Sequence, residues 1–373
     1  MLRAIGLFLL SSFEKYYGID IQYETRSSRY IGYEGNIYIG SSIFSGLSSS
    51  TYGGAIQIST SGATSCLIEE CVFKQCVTSS RYGGGVFFNS SESGSVVFDR
   101  VCSAGCHSAS DGWSQFANLK VNENQRIEVY YLTVADVDAT GVISIQASKG
   151  RQIFENCNFS KNVLNECCGP RHYESTSLIH KYCTCVNNQA RNGYIYMVVG
   201  GINNTVYRCN IISNTISQES ILYNYNDAVT TYIECVINNN KGTYYSIIIR
   251  SGTVTLDKCF IEDFRFVFTT PILIDLQENT HSHIIDHYFT ANCVAPSMSS
   301  GLAIVVYIIS GIFAIMFFGI FCTICCDGMG PGGDYGGGTN GSDYNYGGDY
   351  GGGGDFGGGG DCGGGGGADG GGD

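Results

Sequence analysis

The side chains able to do chemistry fall into a few clusters. The run HSHIIDH carries His281, His283, Asp286 and His287. An HxH pair on a strand turns two imidazoles to one face, as a divalent metal with nitrogen ligands would require. The run VADVD sets Asp136 and Asp138 two residues apart. That spacing aims two carboxylates the same way, as acid–base hydrolysis of a glycoside needs. Asp257, Lys258, Glu262 and Asp263 form the densest charged group. Each has a plainer reading, which the surrounding sequence favours: a polar stalk, a strand-to-turn edge and a solvated rim. There is no phosphate-binding loop, no GxSxG elbow and no Cys–His pair in a catalytic context. No catalytic residue, cofactor or bound metal is therefore expected.

The thiols are more informative. The chain has 18 cysteines among 373 residues, a load compatible with an oxidising, extracellular setting. Cys157, Cys183, Cys209 and Cys235 follow one another at intervals of 26 residues, and Cys259 comes 24 later. Cys71 and Cys102 lie upstream at wider spacing. The position two after each cysteine reads Phe73, Ala104, Phe159, Cys185, Ile211, Ile237 and Ile261. The intervening position is Val72, Ser103, Asn158, Thr184, Asn210, Val236 or Phe260. Asn162, Asn188, Asn214 and Asn240 stand five after.

A fixed period of this length marks a solenoid. Midway between the cysteine strands a second apolar strand opens on Gly or Ser, as in Gly193-Tyr194-Ile195 and Ser220-Ile221-Leu222. Two short strands per repeat, no helical pattern and little Leu predict an all-β fold. It is a right-handed parallel β-helix, a pectin-lyase-like solenoid, across residues 34–290 with eight or nine coils. Stacking coils about 4.8 Å apart makes a rod on the order of 40 Å long. Each Cys and the residue two later point inward. The Asn column is read as the corner residue, tolerant of a left-handed conformation, with amides stacked from coil to coil. The cysteine ladder is expected to stay reduced. Cys66, Cys71 and Cys76, with Cys102 and Cys106, or Cys167 and Cys168, are the disulfide candidates because they leave the column.

Residues 301–326 hold no charge and are mostly apolar, long enough for one transmembrane helix. Residues 1–12, MLRAIGLFLLSS, have the form of a short secretory signal; a truncated gene start and a first buried strand capping the solenoid are the alternatives. The expected topology is single-pass in the plasma membrane, with the N-terminal domain outside. Asn89, Asn158 and Asn203 lie in N-x-[ST] sequons and are glycosylation candidates. Cys322, Cys325 and Cys326 at the inner end are palmitoylation candidates, with an incomplete zinc half-site as the other possibility. The Gly-rich residues 327–373 read as a disordered tail. The net charge of −13 includes eight acidic residues in that tail. The remainder is close to balanced, which argues against nucleic acid as a partner.

Gly53-Gly54-Ala55-Ile56 resembles the GGA[ILV] motif of the chlamydial polymorphic outer-membrane proteins, and Phe159-Ser160-Lys161-Asn162 their FxxN motif. Gly84-Gly85-Val86 is a degenerate copy. That family ends in a membrane β-barrel, whereas this chain ends in an apolar segment and a tail. The combination resembles the trichomonad-type protist surface proteins with a β-helical ectodomain. The resemblance implies surface exposure and adhesion; host-cell, matrix or glycan ligands, or self-association, are the partners expected of such a rod. A membrane-tethered carbohydrate-active enzyme is the alternative.

Overall fold

The computed structural model describes residues 12–109, 112–242, 245–262, 266–268, 273–276, 283 and 285. The apolar segment at 301–326, the three cysteines at its end, the tail at 327–373 and residues 1–11 lie outside the described residues. No helix among the described residues is long and apolar enough to cross a membrane.

A representative coil runs through four short strands. Tyr194–Val199 lies on a first face, Asn204–Tyr207 on a second, Asn210–Ile212 on a third, and Thr215–Ile216 closes the turn. Each strand pairs in parallel with its equivalent one coil away; Tyr196 opposes Leu222, Val206 opposes Tyr232 and Ile211 opposes Ile237. Repetition builds a right-handed parallel β-solenoid of about nine turns. Among the described residues its first face has ten strands, from Tyr30–Gly32 to Phe266–Phe268. The sequence shows two strands per repeat because the second and third faces read as one run. Only Arg208 and Cys209 separate them, and no Gly or Pro marks the bend.

The bend is made by a left-handed residue followed by an inward-pointing one. Glu70, Arg100, Tyr131, Asn156, Tyr182, Arg208, Glu234 and Lys258 all have φ between 50° and 54° or within a few degrees of that range. For residues other than Gly this conformation costs about 1 kcal/mol each. The next residue braces the turn. The thiols of Cys157, Cys183, Cys209, Cys235 and Cys259 reach a carbonyl of the preceding coil, at 3.3–3.7 Å. In the coils between Cys71 and Cys157 this place is held by Val101 and Leu132, both fully buried. Cys102 is thus one residue out of the column. It pairs with Val72, facing outward, while Ser103 rather than Ala104 points into the core.

A second bend follows five residues after the first. Gln75, Asp136, Lys161, Asn187, Ser213 and Asn239 are left-handed there. The ladder asparagines come directly after them and are not themselves in that conformation. Their work is done by the side-chain amide. Asn188 Oδ1 accepts from Asn162 N at 3.0 Å, and Asn188 Nδ2 donates to Phe159 O at 2.9 Å and to Asn214 Oδ1 at 3.0 Å. Asn214 repeats the pattern with Asn240 and Cys185 O. Earlier coils place Cys76, Cys106 and Val137 in the same column.

The cysteines expected to form disulfides are mostly free: Cys66, Cys71, Cys76, Cys106, Cys167 and Cys168 are buried thiols. Cys71, Cys76 and Cys106 belong to the two bend columns, where equivalent side chains stack along the rod. Cys102 is disulfide-bonded. Burial pushes Cys71 up to about 12 and Cys183, Cys185 and Cys235 well above the ordinary thiol range. The thiolate is the reactive form. Iodoacetamide at about pH 8 should therefore leave these four unmodified in the native chain and modify them after unfolding. Rapid native labelling, read by peptide mass, would contradict the packed ladder.

Candidate functional site

The outer surface of the first face carries two side-chain columns. One runs Gln57, Phe87, Asn118, Gln146, Arg171, Met197; the other runs Ser59, Asn89, Lys120, Ser148, Tyr173, Val199. Phe87, Asn118 and Gln146 of the first column, and Ser59, Asn89, Lys120, Ser148 and Tyr173 of the second, line an open groove of about 360 Å³. The Tyr-Gly-Gly phrases build one end of it. Gly53 is left-handed at φ 62°, and a Cβ on Gly54 would lie 2.1 Å from Gly84 O in the next coil. Only Gly permits that approach. The same phrase at Tyr82-Gly83-Gly84 stacks above, so Tyr52 and Tyr82 come together on Phe87. Tyr52 is stacked on Phe87, with ring centroids 4.5 Å apart and planes 17° apart. Tyr173 stands at the other end, three rungs or about 14 Å away.

Between the aromatic ends lies a polar floor. Asn118 is 5% exposed, and its amide has no hydrogen bond among the described residues. Gln146 Nε2 donates to Ser148 Oγ at 3.0 Å, but Gln146 Oε1 is buried without a partner. The Asn118 amide lines the groove and can take a partner there, whereas Gln146 Oε1 is closed off from it. Lys149 is paired with Glu123 at 3.7 Å, while Lys120 makes no ion pair among the described residues. Among the described residues no acidic side chain lines the groove. It can bind through ring faces, an amide and a cation.

Carboxylates gather elsewhere. Glu69 and Asp99 are register partners on the outer side of the second face, and both are buried. Arg100 bridges them, with Nη2 2.5 Å from Glu69 and Nη1 3.3 Å from Asp99. Tyr16 donates to Asp99 at 3.1 Å and Tyr38 donates to Glu69. The short helix Ser12–Tyr17 covers the pair, seating Phe13 against Tyr38, Leu67 and Val97. Burial holds the Asp99 carboxyl above its usual range, against the pull of Arg100. The usable signal was that Glu69 is two before Cys71 and Asp99 two before Val101. Aligning Cys102 with Cys71 hides it.

The contiguous motifs do not assemble. Asp136 sits at a left-handed bend, φ 54°, and Asp138 is exposed and paired with Arg191 at 3.0 Å, so VADVD makes no carboxylate pair. Lys258 occupies a bend and Glu262 accepts from Asn239 N at 2.6 Å; Asp257 is half-buried and Asp263 lies outside the described residues. His283 is held against the third face, where Asn210 both donates to its carbonyl at 2.8 Å and accepts from its N–H at 3.0 Å. His281, Asp286 and His287 lie outside the described residues. Among the described residues no group of three or more potential ligands could hold a metal. Of the glycosylation candidates, Asn203 is exposed at a bend, Asn158 is half-buried on the outer surface, and Asn89 lines the groove.

Compared with known families, curated proteins and solved structures, the chain has no match.

Proposed function

We propose that the chain is a single-pass cell-surface protein whose solenoid serves adhesion or another surface interaction. The observation that carries this reading is the lateral groove, with aromatic ends, an unpartnered Asn118 amide and no carboxylate among the described residues that line it. The apolar residues 301–326, the sequons and the surface-protein motifs Gly53-Gly54-Ala55-Ile56 and Phe159-Ser160-Lys161-Asn162 support the location. Cells displaying the full chain should adhere to host-cell or matrix layers several-fold better than cells lacking it. External protease should abolish the gain while sparing the tail. No gain, or an N-terminal domain protected in intact cells, would overturn the reading.

A second reading has its own observation. The Glu69–Asp99 pair, with Asp99 kept prone to hold a proton, favours a membrane-tethered carbohydrate-active enzyme that works once the Ser12–Tyr17 helix leaves. The covered state of the pair argues for the interaction reading.

A further inference from the structure

The two outer columns of the first face contain groups the solenoid does not need. A core requires inward residues; it does not require Asn118 on the floor of an open groove without a hydrogen bond among the described residues, beside a Gln146 whose Nε2 bonds Ser148 and whose Oε1 is closed off. Leaving such groups unpaired is unfavourable, and the sequence places them side by side: Asn118 opposes Gln146 across one rung. Beside them Lys120 opposes Ser148 and Asn89.

A ligand that satisfies this floor must offer donors and acceptors at a spacing of one rung, about 4.8 Å. It must also present an apolar surface to Tyr52, which is 40% exposed and held rigid by its stack on Phe87. Sugar rings combine an apolar C–H face with an edge of hydroxyls. A linear oligosaccharide repeats that combination along its length. The volume lies within the range of ligand sites, and a few directed polar groups among aromatic walls are their usual makeup. The charge is one-sided as well. Lys149 is answered by Glu123, Lys120 by nothing among the described residues.

We propose that the groove binds an oligosaccharide bearing an acidic group. Tyr52 takes a sugar face, Asn118 takes a hydroxyl, and Lys120 takes the carboxylate or sulfate. This deepens the interaction reading and rests on it. Asn89 lies in the same groove, so a glycan attached there would compete; Ser91→Ala removes the sequon and leaves the Asn89 amide in place.

The test is an array of uronate, sialylated, sulfated and neutral oligosaccharides, probed with the full chain in detergent and with its Ser91→Ala form. Binding by either form is expected on acidic oligosaccharides, at least tenfold tighter than on neutral ones of the same length, and weakened by salt. Lys120→Gln should bring the acidic ligands down to the neutral level. Tyr52→Ala should weaken both classes at least tenfold. Both residues are exposed, and an unchanged strand spectrum verifies folding. Equal binding of acidic and neutral oligosaccharides, or an indifferent Lys120→Gln, would overturn the assignment of the acid. No binding on the array while displayed cells still adhere would overturn the groove and leave the interaction reading intact. Loss of both would overturn that reading too.

Discussion

Between about pH 7.5 and about pH 5.5 the solenoid should lose about 3 kcal/mol of stability. The cause is a pair of histidines in its core. His172 and His180 are both buried. His172 Nδ1 lies 2.8 Å from Gln152 Oε1 and His172 Nε2 lies 3.2 Å from His180 Nδ1. An amide oxygen only accepts, so His172 donates from Nδ1 and accepts at Nε2 from His180. Both rings are then neutral, packed against Phe154 and Tyr196. Burial brings His180 down to about 3 and His172 well below the ordinary imidazole value, with the His180 charge adding to the latter.

For a depressed folded pKa the sign is fixed. Stability is complete above the unfolded value near 6.5 and is lost as the pH falls through it, because only the unfolded chain takes up protons. Each histidine contributes about 1.4 kcal/mol over that whole window, and the two together about 3 kcal/mol. Asp99 and Glu166, whose carboxyls are raised by burial, act in the opposite direction at more acid pH. A Gln152→Leu, His172→Phe, His180→Phe chain replaces every side chain of the network with an apolar one and should lose the step. Urea midpoints at the two pH values check this. An unchanged midpoint in the native chain would show that the histidines are not buried and neutral.

Asn188→Ala should cost about 4 kcal/mol. The change removes the acceptor of the buried Asn162 N–H and the donor to Phe159 O, and breaks the amide contact with Asn214. Each orphaned buried group costs about 1–3 kcal/mol. Asn188→Cys should cost about half as much. The same column uses Cys76 and Cys106, where Cys76 N–H reaches Cys106 Sγ at 3.4 Å. Denaturant unfolding of the three chains measures the order. An Asn188→Ala chain as stable as the parent would mean that the amide ladder does not brace the bends.

How much of this is legible in the sequence depends on how a solenoid stores information. The 26-residue spacing from Cys157 to Cys235 reveals the parallel stack because identical residues recur at equivalent bends. Where residue types change, the register is hidden. Val101 and Leu132 occupy the cysteine column as well as Cys does, and Cys102 beside Val101 diverts the reading by one residue. That one-residue slip exchanges inside and outside, and with it the Glu69–Asp99 pair disappears from view. The same logic explains the motifs. Asp136 and Asp138 are neighbours in sequence yet straddle a bend. Phe87, Asn118 and Gln146 are 28–31 residues apart yet share adjacent rungs. Chemistry on a solenoid is assembled across coils, at separations of one repeat, and the outer positions that form it follow no residue-type rule.

The interaction reading and the enzyme reading part company over what happens to a bound chain. The deciding measurement is the length of an oligosaccharide before and after prolonged incubation with the full-length protein, followed by mass spectrometry of the recovered sugar. The account predicts that every ligand the groove retains is recovered at its original length, with no new reducing or unsaturated ends, both in the native chain and in one lacking the Ser12–Tyr17 cover. Shortened products that vanish in an Asp99→Asn chain would contradict it and make the carboxylate pair an active site.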